Sequence, residues 1–129
     1  MEKLKSYKDL LVWQRSLGMV KFIYELTRSF PQDERFGLVT QMRRAAVSVP
    51  SNIAEGQSRH TRGEFIQFIS HAEGSLAELE TQLLIAIELD FCTRSQSESL
   101  LSLVDELQRM LNGLRQKLAT RPSPLATHA

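Results

Sequence analysis

An all-α fold, an antiparallel four-helix bundle, is predicted by three observations. Apolar residues recur at spacings of three and four in four separate stretches, no segment alternates like a strand between hairpin turn signals, and the breaks between stretches are short. At 129 residues the chain is long enough for one domain with a real core and too short for two, so residues 1–129 are read as a single domain.

Helix one is expected from about residue 7 to 28, with Leu10, Trp13, Leu17, Val20 and Tyr24 as its core stripe. Trp13 and Tyr24 fit that stripe and are read as packing groups rather than base-stacking ones. Phe30-Pro31 breaks the helix, because the residue before a proline is pushed away from helical geometry. Helix two is expected over about 34–56, keeping Leu38, Met42, Ala45, Val49 and Ile53 on one face, with Gly56 as its stop. Pro50 lies inside it. It cannot donate to the carbonyl of Ala46, so the helix either bends there or breaks into two pieces. Small Ala45 and Ala46 leave room at a bend, and Ser48 and Ser51 are placed to bond freed backbone groups.

Helix three is expected over about 61–90, opened by a capping box at Thr61 and Glu64. Its core stripe is Phe65, Phe68, Ile69, Ala72, Leu76, Leu79, Leu83 and Ala86. A different side presents Gly63, Ser70, Gly74, Ala77 and Thr81, flanked by Ile66 and Leu84. Mid-helix glycine costs up to about 1 kcal/mol relative to alanine. Gly74, Ala77 and Thr81 are therefore candidate interface residues, facing either a helix of the same protomer or the next subunit of a homo-oligomer. Helix four, about 96–119, is announced by a second box at Ser95 and Glu98 and carries Leu100, Val104, Leu107, Leu111, Leu114 and Leu118 as a bundle seam. Pro122 and Pro124 then end helical structure, and 120–129 is expected to be a mobile tail.

Composition narrows the function. Apolar residues make up 42% and charged residues 24%, which fits an ordinary soluble protein. With neither a long apolar run nor a signal-peptide core, a cytoplasmic location is expected, with no membrane partner. Cys92 is the single cysteine, which excludes an intrachain disulfide and a cysteine zinc site, and it is read as a small buried hydrophobe. The net charge of +1 divides into +5 over residues 1–62, −6 over 63–92 and +2 over 93–129. Such blocks either pair within one bundle or offer a basic face to nucleic acid.

Enzyme signatures are missing. None of His60, His71 and His128 has a glutamate three residues before it, as a di-iron bundle requires, and there is no phosphate loop, HExxH or nucleophile elbow. No catalytic residue, cofactor or metal is assigned. His71 and Glu78 are read as surface residues. The turn from Gln57 to Arg62 gathers Arg59, His60 and Arg62 at the start of helix three, whose free N–H groups favour anions. Arg43, Arg44, Arg59 and Arg62 are the candidate phosphate contacts, with Lys21 and Arg15 beside them. On a helical wheel Arg43 and Arg44 fall toward opposite flanks and do not form one patch. No helix-turn-helix or RNA-recognition signature supports sequence-specific reading.

The runs "LVWQRS", "FP", "QMRRAAVSVPSNIAEG" and "EFIQFISHAEGSLAELETQL", in that order, resemble the bacterial four-helix-bundle family of proteins encoded in intervening sequences of 23S ribosomal RNA genes. The accessory protein of diversity-generating retroelements is a relative. The likeness covers roughly residues 7 to 92; helix four matches only by generic pattern. The resemblance implies a ring-like homopentamer of four-helix protomers, a helix two that continues, kinked, through Pro50, and no catalysis. For the retroelement relatives it implies binding of RNA or DNA and of a reverse transcriptase. The expected function is a non-enzymatic accessory protein binding nucleic acid without strong sequence specificity, and the alternative is a protein-interaction scaffold.

Overall fold

The computed structural model describes residues 6–120. The expected mobile tail, save Thr120, lies outside them, as does His128. The described residues form α1 (Leu11–Thr27), α2 (Leu38–Gln57), α3 (Arg62–Glu88) and α4 (Arg94–Thr120), with 3-10 turns at Tyr7–Asp9 and Gln32–Glu34. No strand occurs among the described residues. α1 packs beside α2 and α4, α3 packs beside α2 and α4, and α1 and α3 lie diagonally opposite. Short loops between neighbours make the bundle antiparallel.

Helix one begins later than the periodicity suggests. Ser6 and Asp9 close a capping box around a 3-10 turn, and Leu10 is extended at φ −77° and ψ 122° before α1 starts. Its core stripe also lies one face over. Val12, Ser16, Met19, Ile23 and Thr27 are buried, whereas Leu17 is 44% and Tyr24 38% exposed. Buried Ser16 and Thr27 carry no desolvation penalty because their hydroxyls donate to the carbonyls of Trp13 and Ile23, both at 2.7 Å. Trp13 and Val20 are half-buried and pack against the core from the side.

α2 starts at Leu38 rather than near Glu34. Residues Gln32–Glu34 turn as a 3-10 helix, and the Glu34 carboxylate accepts the Leu38 N–H at 3.3 Å, capping α2 from outside. The helix runs without a break through Pro50, which is buried together with Ala46. The serines do a different job from the expected one. Ser48 Oγ bonds Ser75 Oγ of α3 at 2.8 Å and accepts the Asn52 amide, which also donates to Ser48 O. Ser51 is exposed. α2 ends at Gln57, one residue past Gly56, but Gly56 is not a left-handed cap: it does not take a positive φ, and a Cβ on it would lie 2.6 Å from Phe68 Cβ. Here glycine is what lets α3 cross closely.

At the head of α3, Thr61 Oγ1 accepts the Glu64 N–H at 3.1 Å and donates to Glu64 Oε1 at 3.0 Å. The helix ends in a Schellman motif. Phe91 N–H reaches Ala86 O at 2.9 Å, Asp90 N–H reaches Ile87 O at 3.0 Å, and Asp90 takes φ 62°. The capping box of α4 sits two residues before the expected one. Thr93 Oγ1 accepts the Gln96 N–H at 3.0 Å while Gln96 Oε1 accepts the Thr93 N–H at 2.8 Å, so glutamine takes the place expected for Glu98. Cys92 is buried, with Sγ 3.2 Å from Ser97 Oγ.

The core joins Met19, Ile23, Met42, Val49, Ile53, Ile69, Leu76, Leu79, Leu83, Leu100, Leu107 and Leu111, all with no exposed surface. Polar ties fix the registers around it. Arg15 pairs with Glu106 between α1 and α4, and Arg115 Nε donates to Glu73 Oε1 at 2.7 Å between α4 and α3.

Candidate nucleic-acid interface

The four candidate arginines separate into two groups. Arg43 and Arg44 lie in the N-terminal half of α2, whereas Arg59 and Arg62 flank the α2–α3 turn. From Arg44 to the end of α2 at Gln57 the helix runs 13 residues, about 20 Å along its axis, before the turn that carries Arg59.

At the α2–α3 turn much of the cationic capacity is already committed. Arg59 pairs with Glu55 at 3.4 Å, and its guanidinium carbon lies 4.8 Å from the ring centre of Phe68. Arg62 and His60 are exposed. The α3 N-terminus is not an open anion site. Thr61 takes the Glu64 N–H, and the Glu64 carboxylate already sits in the first turn. Arg15, bound to Glu106, is likewise engaged.

The other group is different. Contrary to the separation expected from the helical wheel, Arg43 and Arg44 line one shallow hollow of about 350 Å³ together with Tyr24, Thr40 and Val47. Arg43 also reaches a second recess of about 280 Å³ under the α1–α2 corner, where Arg28 and Arg35 stand on the rim and Phe30 and Val39 form the wall. No carboxylate lines either hollow. Arg28 and Arg44 have no bonded partner among the described residues. Arg43 is held in place. Its Nε donates to Thr27 Oγ1 at 3.0 Å, an Nη donates to Tyr24 O at 3.4 Å, and the guanidinium stacks 4.5 Å from the Tyr24 ring centre. Tyr24, expected in the core, is instead the exposed aromatic of this corner.

Sequence reasoning missed Arg28 and Arg35. Arg28 is the residue after α1 and Arg35 the residue after the 3-10 turn, so neither belongs to a periodic face. Only their nearness to the two ends of one corner would have pointed to them.

Two apolar surfaces accompany the basic corner. Tyr7, Trp13, Leu17, Val47, Pro50 and Ala54 line a groove of about 300 Å³ between α1 and α2. On the far side of the bundle, Gly74, Ala77 and Thr81 are exposed, and nothing lies within 4 Å of a Cβ built on Gly74. Among the described residues no helix of the same protomer approaches it. Leu84 and Ile85 continue that face at 41% and 43% exposure. His71 is exposed and meets the Phe68 ring edge-on at 5.9 Å. Among the described residues no group of three His, Cys, Asp or Glu could hold a metal ion, and no helix is long and apolar enough to cross a membrane.

The family described as 23S rRNA-intervening sequence protein matches residues 8–113. A crystal structure of a protein with unknown function from the S23 ribosomal protein family of Bacteroides thetaiotaomicron is similar at a TM-score of 0.74 and 25% identity. The match covers 81% of this chain and 98% of that one. No curated protein is significantly similar.

Proposed function

The chain belongs to the 23S rRNA-intervening sequence protein family, and we propose that it is a non-enzymatic, cytoplasmic accessory protein that binds nucleic acid through the α1–α2 corner. The observation that carries this reading is the convergence of Arg28, Arg35, Arg43 and Arg44 on two adjoining hollows lined by no carboxylate. Arginine guanidinium groups suit phosphate oxygens in charge and in fork geometry. Tyr24, 38% exposed and stacked on one side by Arg43, adds an aromatic group to the contact surface without adding sequence preference. Arg59 in the α2–α3 turn and Arg62 at the start of α3 offer a second, separate phosphate contact at the other end of α2. Fluorescence anisotropy of a labelled RNA hairpin and a DNA duplex, titrated at several salt concentrations, tests the proposal. Affinity should fall linearly on a log–log salt plot.

A second reading, a scaffold built by self-association, is favoured by the apolar surfaces. The α1–α2 groove and the Leu84–Ile85 face of α3 lie on different sides of the bundle, an arrangement suited to head-to-tail contacts that close a ring. Their flanking sequence is complementary in charge: Lys21 follows Val20 and Arg43 and Arg44 stand one turn before Val47 of the groove, whereas Glu80 and Glu88 stand one turn to either side of Leu84. The two readings are compatible, because repetition around a ring multiplies weak phosphate contacts. Sedimentation velocity tests the self-association: Leu84→Glu/Ile85→Glu should sediment as a smaller species than the wild type, and an unchanged mass would remove this face from the scaffold reading.

A further inference from the structure

The recess under the α1–α2 corner is more enclosed than the neighbouring hollow that Arg43 shares with Arg44. Phe30, Pro31 and Val39 give it an apolar wall, and Arg28, Arg35 and Arg43 ring it. A guanidinium has five N–H donors, and Arg43 commits two of them to Thr27 and Tyr24, which leaves three on a group held in fixed orientation. Arg28 and Arg35 are exposed and can close on whatever enters.

An internal phosphodiester carries one charge and has a sugar on each side, so it contacts a surface without descending into a recess. A terminal phosphomonoester has a sugar on one side only, about −1.5 to −2 charges at neutral pH and three strong acceptor oxygens. Three arginines around a pocket lined otherwise by Thr27, Phe30, Pro31, Gln32 and Val39, and by no carboxylate, match that group and exceed what one diester can use. We infer that the recess receives the phosphomonoester end of a nucleic-acid strand, so that the protein distinguishes phosphorylated strand ends from hydroxyl ends. The inference rests on the nucleic-acid reading and specifies which part of the ligand this pocket takes.

The test compares one RNA decamer in three forms, with a 5′-phosphate, with a 3′-phosphate and with hydroxyls at both ends, against the full chain and against Arg28→Gln/Arg35→Gln. At least one phosphorylated form should bind about tenfold more tightly than the hydroxyl form. In the double variant that ratio should fall to about one. The preference should also grow as pH rises from 5 to 7, because the second phosphate proton is lost near pH 6. Equal affinities for the three forms overturn the inference and leave general nucleic-acid binding standing. A preference retained in the double variant overturns the assignment to this pocket. Competition by a nucleoside 5′-monophosphate as strong as that by the phosphorylated strand overturns the strand end as the ligand. Absence of binding to every form at low salt overturns both the inference and the reading beneath it.

Discussion

The guanidinium of Arg43 lies 4.5 Å from the ring centre of Tyr24 and is bonded through Nε to Thr27, so α2 reaches across to α1 with a charged group that still has N–H donors to spare. Lysine cannot reproduce this arrangement, since it lacks the planar fork that stacks and bonds at once. Arg43→Lys should lower affinity for a short RNA several-fold while keeping the charge. Removing the hydrogen bond to Thr27 should cost about 1 kcal/mol in urea unfolding. Anisotropy and urea titration read the two effects separately.

Gly56 tests the closeness of α2 and α3. A Cβ there meets Phe68 Cβ at 2.6 Å and Phe65 Cδ1 at 3.0 Å, and the first of these belongs to a stem that cannot rotate away. Gly56→Ala should destabilise the protein by about 1–3 kcal/mol despite the better helix propensity of alanine. A midpoint equal to or above that of the wild type would show that the helices have room to part.

Gly74 should behave in the opposite way. With nothing within 4 Å of its added Cβ, Gly74→Leu leaves the protomer fold intact and raises helix propensity by up to about 1 kcal/mol. If copies meet through this face, the same substitution lowers the assembled mass in sedimentation velocity at unchanged helical circular dichroism. An unchanged mass would remove Gly74, Ala77 and Thr81 from the interface.

Asp90 carries the left-handed turn that ends α3, at φ 62°. Aspartate tolerates that conformation better than most residues, but glycine adopts it without a Cβ clash. Asp90→Gly should raise the unfolding free energy by roughly 0.5–1 kcal/mol, measured by urea titration.

Four helices and most of the α2 and α4 core were legible in the sequence, because Met42, Val49, Ile53, Leu100, Val104 and Leu107 are both apolar and periodic. The face of α1 was misread because its buried side carries Ser16 and Thr27, which satisfy their hydroxyls within the helix. The larger aromatic residues, by contrast, mark a side face. The Thr93–Gln96 box escaped notice because a Ser–Glu pair two residues on has the same spacing. The candidate site was half legible. Arg43 and Arg44 stood out individually, but the helical wheel set them on opposite flanks, and the recess needs Arg28 and Arg35, which only the packing of α1 on α2 and the turn between them bring alongside.

The most direct test of the α1–α2 corner as a phosphate-binding surface is the salt dependence of RNA affinity for wild type, Arg28→Ala/Arg35→Ala/Arg44→Ala and, as a control, Arg15→Ala. A linear log–log plot is expected, flatter in the triple variant by about one unit of slope for each phosphate that it no longer neutralises. The Arg15 variant, whose guanidinium is already paired with Glu106, should keep the wild-type slope. A triple variant with the wild-type slope, or no binding by the wild type at low salt, would contradict that role for the corner.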